Sequence, residues 1–296
     1  MISPFRDETR VMEGKIIIVT GSNSGIGKAT VKSLVGMGAT VVMAVRNREK
    51  GEMARDEIAE KTGSESVSVM VCDMASRDSI TRFSDEFRSK HDRLDVLINN
   101  AGAVFAKRRL SVDGIESSMA VNYLGPFRLT QELFPLLETS APSRIVNVSS
   151  GLSGSAEIDF DDLQREKGYK GMQAYAGSKL MLTTYSLELA RHLEGTGVTA
   201  NVVEPGFVAT NLGRNSGSLL NSVMFTLVRP MQITPQKAAE NTVYAATAPE
   251  LEGVSGMIFA KKQEKEAPPI TQDGEARRRL WEETTRLLGI DDDSAI

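Results

Sequence analysis

The chain has 296 residues, 41% of them hydrophobic and 25% charged, with a formal net charge of −4. This is ordinary globular composition, long enough for a sizeable core, and it gives no reason to expect nucleic acid or an anionic membrane as partner. Cys72 is the sole cysteine, which excludes an intrachain disulfide, and His91 and His192 are too few and too far apart for a histidine-rich metal site. Apolar runs then alternate with helical spacing. Strands are expected near 15–20, 39–45, 67–72, 94–98, 143–149, 198–203 and 256–259. Helices are expected near 25–37, 48–61, 76–90, 113–138, 173–194 and 235–247, with a last one near 274–288. The alternation predicts a single-domain α/β fold over 1–296: a doubly wound parallel sheet of about seven strands with helices on both faces. The core is expected over 14–260, followed by an extension, 261–296, whose segment 261–271 reads as a surface connector.

The first strand runs straight into Gly21-Ser22-Asn23-Ser24-Gly25-Ile26-Gly27, and Ala29, Val31, Leu34 and Val35 continue at helical spacing. Strand, glycine turn and helix form the context of a dinucleotide-binding loop. Glycine lets backbone N–H groups approach a pyrophosphate, and the helix N-terminus adds a favourable partial positive charge. Further on, Tyr175 and Lys179 are four residues apart, on one helical face. A neighbouring ammonium is expected to lower the phenol pKa from its usual value of about 10. The serine pair Ser149-Ser150 precedes them. One hydroxyl of that pair can hold a carbonyl oxygen beside the phenol.

The glycine spacing G-x-x-x-G-x-G resembles that of the short-chain dehydrogenase/reductase family. So do Asn99-Asn100-Ala101-Gly102 after the fourth strand, Asn122 in a long helix, the Ser/Tyr/Lys set, and Pro205-Gly206 after the sixth strand. Asp161, Leu163, Gln164, Lys167 and Tyr169 look like the retinol dehydrogenase branch, as does Arg278-Arg279-Leu280-Trp281-Glu282 with Leu287-Leu288-Gly289. The resemblance implies reversible hydride transfer between a nicotinamide and a carbonyl or alcohol. Tyr175 would be the general acid, Lys179 its partner on the nicotinamide ribose, Ser150 the group that holds the oxygen, and Asn122 the link of a proton path. Ser149 is then a structural hydroxyl, and Ser153 a further candidate for the oxygen contact. The implied cofactor contacts are Gly21, Ser22, Asn23, Ser24, Gly25, Ile26, Gly27, Arg46, Asp73, Met74, Asn100, Ala101, Gly102, Tyr175, Lys179, Pro205, Gly206 and Val208.

Val45 occupies the position where the family usually places an aspartate for NAD, and Arg46 follows it. A guanidinium can pair with the 2′-phosphate that a carboxylate would repel, so NADP is the expected cofactor. Val104-Phe105, Leu152, Met172, Phe207-Val208 and the apolar run 219–228 suggest a lipophilic aldehyde, ketone or alcohol, with the last run as a lid or as packing. Two alternatives stay open: a catalytically silent dinucleotide sensor, and a reductase of a ring double bond similar to protochlorophyllide reductase. No stretch approaches the roughly 18 apolar residues of a membrane span. Residues 1–13 lack the apolar core of a signal peptide. A cytoplasmic location is therefore expected, with a possible homodimer or homotetramer built on the long helices.

Overall fold

The computed structural model describes residues 10–206, 233–290 and 296. Strand β1 (Ile16–Thr20) sits inside the sheet, and its side chains alternate between two cores. Ile18 enters one core, while Ile17 and Val19 enter the other. Burial on both faces is what a parallel strand roofed by helices requires. The other strands are β2 (Thr40–Val45), β3 (Val67–Val71), β4 (Val96–Asn99), β5 (Ser143–Val148), β6 (Val198–Glu204), β7 (Ile258–Ala260) and β8 (Gln263–Lys265). Their order is β3-β2-β1-β4-β5-β6-β7-β8. The first seven are parallel, and β8 pairs antiparallel with β7. Strand order reverses between β1 and β4, so the crevice for ligands lies at the carboxyl ends of those strands.

Helices α1 (Gly25–Gly36), α2 (Arg48–Thr62) and α3 (Arg77–Lys90) follow the first three strands. Asn47 caps α2 by accepting from the Lys50 N–H at 2.8 Å, and Ser76 caps α3 through the Ser79 N–H at 3.3 Å. The helix expected over 113–138 is different. It starts later and contains a break: α4 (Ser117–Met119), a π-helical turn (Ala120–Leu124), then α5 (Gly125–Thr139). Two tertiary contacts account for this. A small hairpin pairs Leu110 with Glu116, and the Glu116 carboxylate accepts from the Ser118 and Met119 N–H groups, both at 2.8 Å. Gly125 lies so close to the Met74 carbonyl that no side chain fits between them. The widened turn carries Asn122.

Helix α6 (Gly171–His192) crosses beside α5, and α7 (Pro235–Thr247) packs on α1. After β8 come α8 (Pro269–Gln272) and α9 (Gly274–Leu288). Helix α9 lies on α6 and buries Leu280, Trp281 and Leu288. The Trp281 ring is 5.1 Å from Phe127, 5.8 Å from Tyr185 and 4.1 Å from His192. The Tyr123 hydroxyl meets Thr284 Oγ1 at 2.6 Å, and buried Glu188 accepts from Arg277 at 3.1 Å. Among the described residues, no helix is long and apolar enough to cross a membrane.

Candidate active site

Two adjoining clefts, of about 630 and 210 Å³, run along the carboxyl ends of the strands and share Gly21, Ser24, Gly102 and Ala103. The glycine loop forms their floor. Gly21 holds a φ of 63°, and a Cβ on Gly27 would come within 2.5 Å of Asn100 Nδ2. That tight approach lets Asn100 donate to the Thr20 carbonyl at 2.8 Å, while Thr20 Oγ1 accepts from the Asn100 and Ala101 N–H groups at 3.0 and 2.9 Å. The loops after β1 and β4 are thereby clasped together. Ser24, Gly25, Ile26 and Gly27 line the inner cleft, and Ser24 opens α1 without a side-chain bond to its first turn. First-turn donors of this kind suit a phosphate.

On the opposite wall, α6 brings Tyr175 and Lys179 into the inner cleft. Lys179 is buried and its ammonium donates to the Val148 carbonyl at 2.7 Å. The Tyr175 phenol neighbours the Ser150 hydroxyl. Ser150 Oγ accepts from the Leu152 N–H at 3.3 Å. Ser149 turns its hydroxyl inward, 2.8 Å from Thr183 Oγ1 and 3.1 Å from the Lys179 carbonyl. Asn122 Oδ1 accepts from the Ala103 N–H at 2.8 Å, while its Nδ2 donates to the Ala103 carbonyl at 3.0 Å and to Ser178 Oγ at 2.9 Å. The Lys179 ammonium and Asn122 Oδ1 lie side by side under Gly102, 3.4 and 3.5 Å from where its Cβ would be.

The sequence profile described as short chain dehydrogenase matches residues 15–219. The chain belongs to that family. It is 41% identical to retinol dehydrogenase 14 of Mus musculus over 292 residues, covering 95% of this chain and 87% of the relative. It is 39% identical to retinol dehydrogenase 13 of Homo sapiens, covering 94% of this chain and 86% of that protein. A crystal structure of an uncharacterized protein from Mycobacterium Paratuberculosis superposes with a TM-score of 0.76 at 30% identity, covering 94% of each chain. This short-chain dehydrogenase thus falls in the retinol dehydrogenase branch, as an oxidoreductase acting on CH–OH groups with a nicotinamide cofactor.

Electrostatics at the dehydrogenase site differ from the sequence expectation. Burial pushes the Tyr175 phenol above its ordinary value, and the neighbouring Ser150 hydroxyl opposes that rise. Lys179 turns to the Val148 carbonyl, and burial brings its own pKa down from 10.5 to about 7. The pair therefore joins a hydroxyl that keeps its proton to an amine that releases one near neutrality.

At the outer end, Arg46, Asn47, Lys50, Cys72, Asp73 and Met74 line the larger cleft. Val45 is only 1% exposed and belongs to the core beneath. Lys28 pairs with Glu57, and Arg48 with Glu52. Among the described residues, Arg46 and Lys50 have no carboxylate partner and stay exposed. Asp73 Oδ1 accepts from the Ala75 N–H at 3.0 Å, so it also shapes the turn before α3. The Cys72 thiol is buried and pushed up to about 12 by that burial. Ala101, Gly102 and Pro205 line the clefts, but Ser22 bonds the Val19 carbonyl at 2.9 Å and faces inward. Ser153 is fully buried, and Gly206 ends the described stretch with a φ of 86°. Phe207, Val208 and the run 219–228 lie outside the described residues.

Three residues were given no role in the sequence reading. Thr20 makes the clasp, Ser178 joins Asn122 to α6, and Lys50 shares the outer cleft with Arg46. The only signal for Lys50 was its place four residues after Arg46, and nothing in the sequence marked it as unpaired.

Proposed function

We propose that this chain is an NADP(H)-dependent oxidoreductase that transfers hydride between the nicotinamide and a lipophilic carbonyl compound or alcohol, such as a retinal-like aldehyde or a ketone. The observation that carries the proposal is the Tyr175 phenol, beside Ser150 and one helical turn from Lys179, on the wall of a cleft floored by the glycine loop. The loop 21–27 and Asn100 would hold the pyrophosphate and ribose, with Asp73 near the adenine. Arg46 and Lys50 supply the two unpaired cations that suit a 2′-phosphate. Bound NADPH supplies the hydride.

The rest of the chemistry belongs to the chain. Ser150 donates to the carbonyl oxygen and orients it. Tyr175 gives its proton to that oxygen as negative charge develops there, acting as general acid. The lowered pKa of Lys179 lets it pass a proton near neutral pH, and Asn122 holds the neighbouring turn in place. Val104 lines the inner cleft, and the apolar residues Leu152 and Met172 are 42% and 39% exposed. That apolar surface favours a lipophilic substrate.

A panel of long-chain, retinoid-like and short aldehydes with NADPH and NADH, followed at the nicotinamide absorbance band, tests this reading. Turnover is expected with NADPH and the apolar aldehydes, and Tyr175→Phe should lose nearly all of it while still binding cofactor. Cofactor binding with no turnover of any carbonyl would favour a dinucleotide sensor instead.

A further inference from the structure

The segment 159–170 supplies none of the four groups above, yet the polar atoms it does not spend on itself go largely to one neighbour. It first folds on itself. Asp162 accepts from the Glu166 N–H at 2.8 Å and from the Lys167 N–H at 2.9 Å, which holds its carboxyl below the usual range. Phe160 is anchored beneath the Arg279 guanidinium of α9, 4.3 Å from the ring centroid. From this base the segment reaches the arm that follows β4. The Gln164 carbonyl accepts from Arg108 Nε at 3.2 Å, and its side-chain oxygen accepts from the Glu116 N–H at 3.2 Å. Finally the Tyr169 hydroxyl, two residues before α6, lies 3.0 Å from the Phe105 carbonyl and 3.1 Å from Glu116 Oε1.

Glu116 is 2% exposed, and its carboxylate already caps α4 through two N–H groups. Capping alone needs no buried charge, since short polar side chains at exposed positions serve. What burial adds is the bond to Tyr169. With that bond and the one to Phe105, one phenol touches two elements, and its own backbone leads into a third. The first is the arm at Phe105, next to Val104 of the inner cleft. The second is the cap of the helix that leads to Asn122. The third is α6, with Tyr175 six residues on. We infer that Tyr169 and Glu116 form a positioning pair that fixes the arm 103–110 as the substrate-side wall against Tyr175, and so sets how bulky a carbonyl compound the site accepts. Burial pushes Tyr169 up to about 12, so its hydroxyl stays a donor throughout the neutral range. The inference rests on the proposed carbonyl chemistry for its consequence, but not for the brace itself.

Tyr169→Phe removes one oxygen and keeps the ring. For bulky apolar aldehydes, kcat/KM should fall on the order of tenfold, the worth of one hydrogen bond to a charged group. Short aldehydes and NADPH affinity, titrated by nicotinamide fluorescence, should change little. Glu116→Gln, which keeps one acceptor oxygen, should fall between wild type and Tyr169→Phe. Equal losses for all aldehydes, or none, would overturn a role in selectivity. Amide hydrogen exchange separates this from the activity itself. Tyr169→Phe should speed exchange in 103–110 and leave the glycine loop unchanged, even if wild type turned over none of the aldehydes. Unchanged exchange in 103–110 would overturn the brace.

Discussion

Tyr175, Lys179, Ser150 and Asn122 each sit in a short motif with its own spacing; in the fold Tyr175 and Lys179 line the inner cleft, Ser150 neighbours the phenol, and buried Asn122 lies beside the Lys179 ammonium. What sequence could not give is the direction of a side chain or the partner it has taken. Val45 stands where an aspartate would bind ribose, but it points into the core, so a carboxylate there would cost burial rather than repel a phosphate. The charge removal that tests cofactor choice therefore belongs at Arg46. Arg46→Ala should weaken NADPH by about 1.5–3 kcal/mol, the range for hydrogen bonds to charged groups, and leave NADH nearly unchanged. Lys50→Ala should show the same selectivity with a smaller loss, because a lysine contacts phosphate as a point charge. Calorimetric titration of both cofactors decides; equal losses for NADPH and NADH would return either residue to the solvated surface. Lys179 makes a second prediction at this scale. Its folded pKa is about 7 against an ordinary 10.5. Between about pH 7 and 9 the unfolded chain therefore binds a proton that the folded chain has released, and stability rises with pH. Above that window Cys72 acts in the opposite sense, since its thiol, ordinarily near 9.0, is held at about 12 when folded. Chemical denaturation at pH 7 and 9 without added cofactor should show the rise in wild type and its loss in Lys179→Met; equal increments in both would refute it.

Elements whose limits are written locally matched the sequence reading. Helix α7 begins at the Thr234-Pro235 cap and α9 runs from the Asp273 cap to Gly289 in the left-handed conformation, both within their expected spans. The mismatches have tertiary causes. The helix expected over 113–138 starts late because Glu116 caps it from inside the fold, and it widens at Asn122 beside the contact of Gly125 with Met74. Strand β8 is three exposed polar residues, with no apolar alternation to reveal it; Lys265 fastens it to buried Glu204 at 2.7 Å. Helix α9 was foreseen as a helix, and its seat on α5 and α6 only as the alternative to a twofold partner. Its buried Trp281 packs on Phe127, Tyr185 and His192 rather than facing solvent. Trp281→Ala should cost about 3–5 kcal/mol in urea or guanidinium unfolding, as for other large aromatic truncations in cores. A loss under 1 kcal/mol would mean that α9 contributes little to holding α5 and α6.

The whole molecule turns on that same helix. Composition and strand–helix alternation were enough to give the sheet and its two roofs, because a parallel strand buried on both faces leaves a continuous apolar run. They could not decide what covers the outer face of α5 and α6, which the sequence reading offered to a twofold partner or, as the alternative, to the terminal segment after Ala260. In the structure Phe127, Leu133, Leu182, Tyr185 and Leu189 are all buried within one chain, and Tyr123 and Glu188 have partners on α9. A partner copy seated on this face would have to displace α9 and break the Tyr123–Thr284 and Glu188–Arg277 bonds. The expected species in sedimentation is thus a monomer near the 32.2 kDa chain mass across a wide concentration range. Trp281→Ala, which opens the aromatic cluster, should raise the tendency to associate as apolar surface is freed. A wild-type dimer that persists on dilution, and that Trp281→Ala leaves unchanged, would place the contact on another face and remove α9 from any part in keeping copies apart.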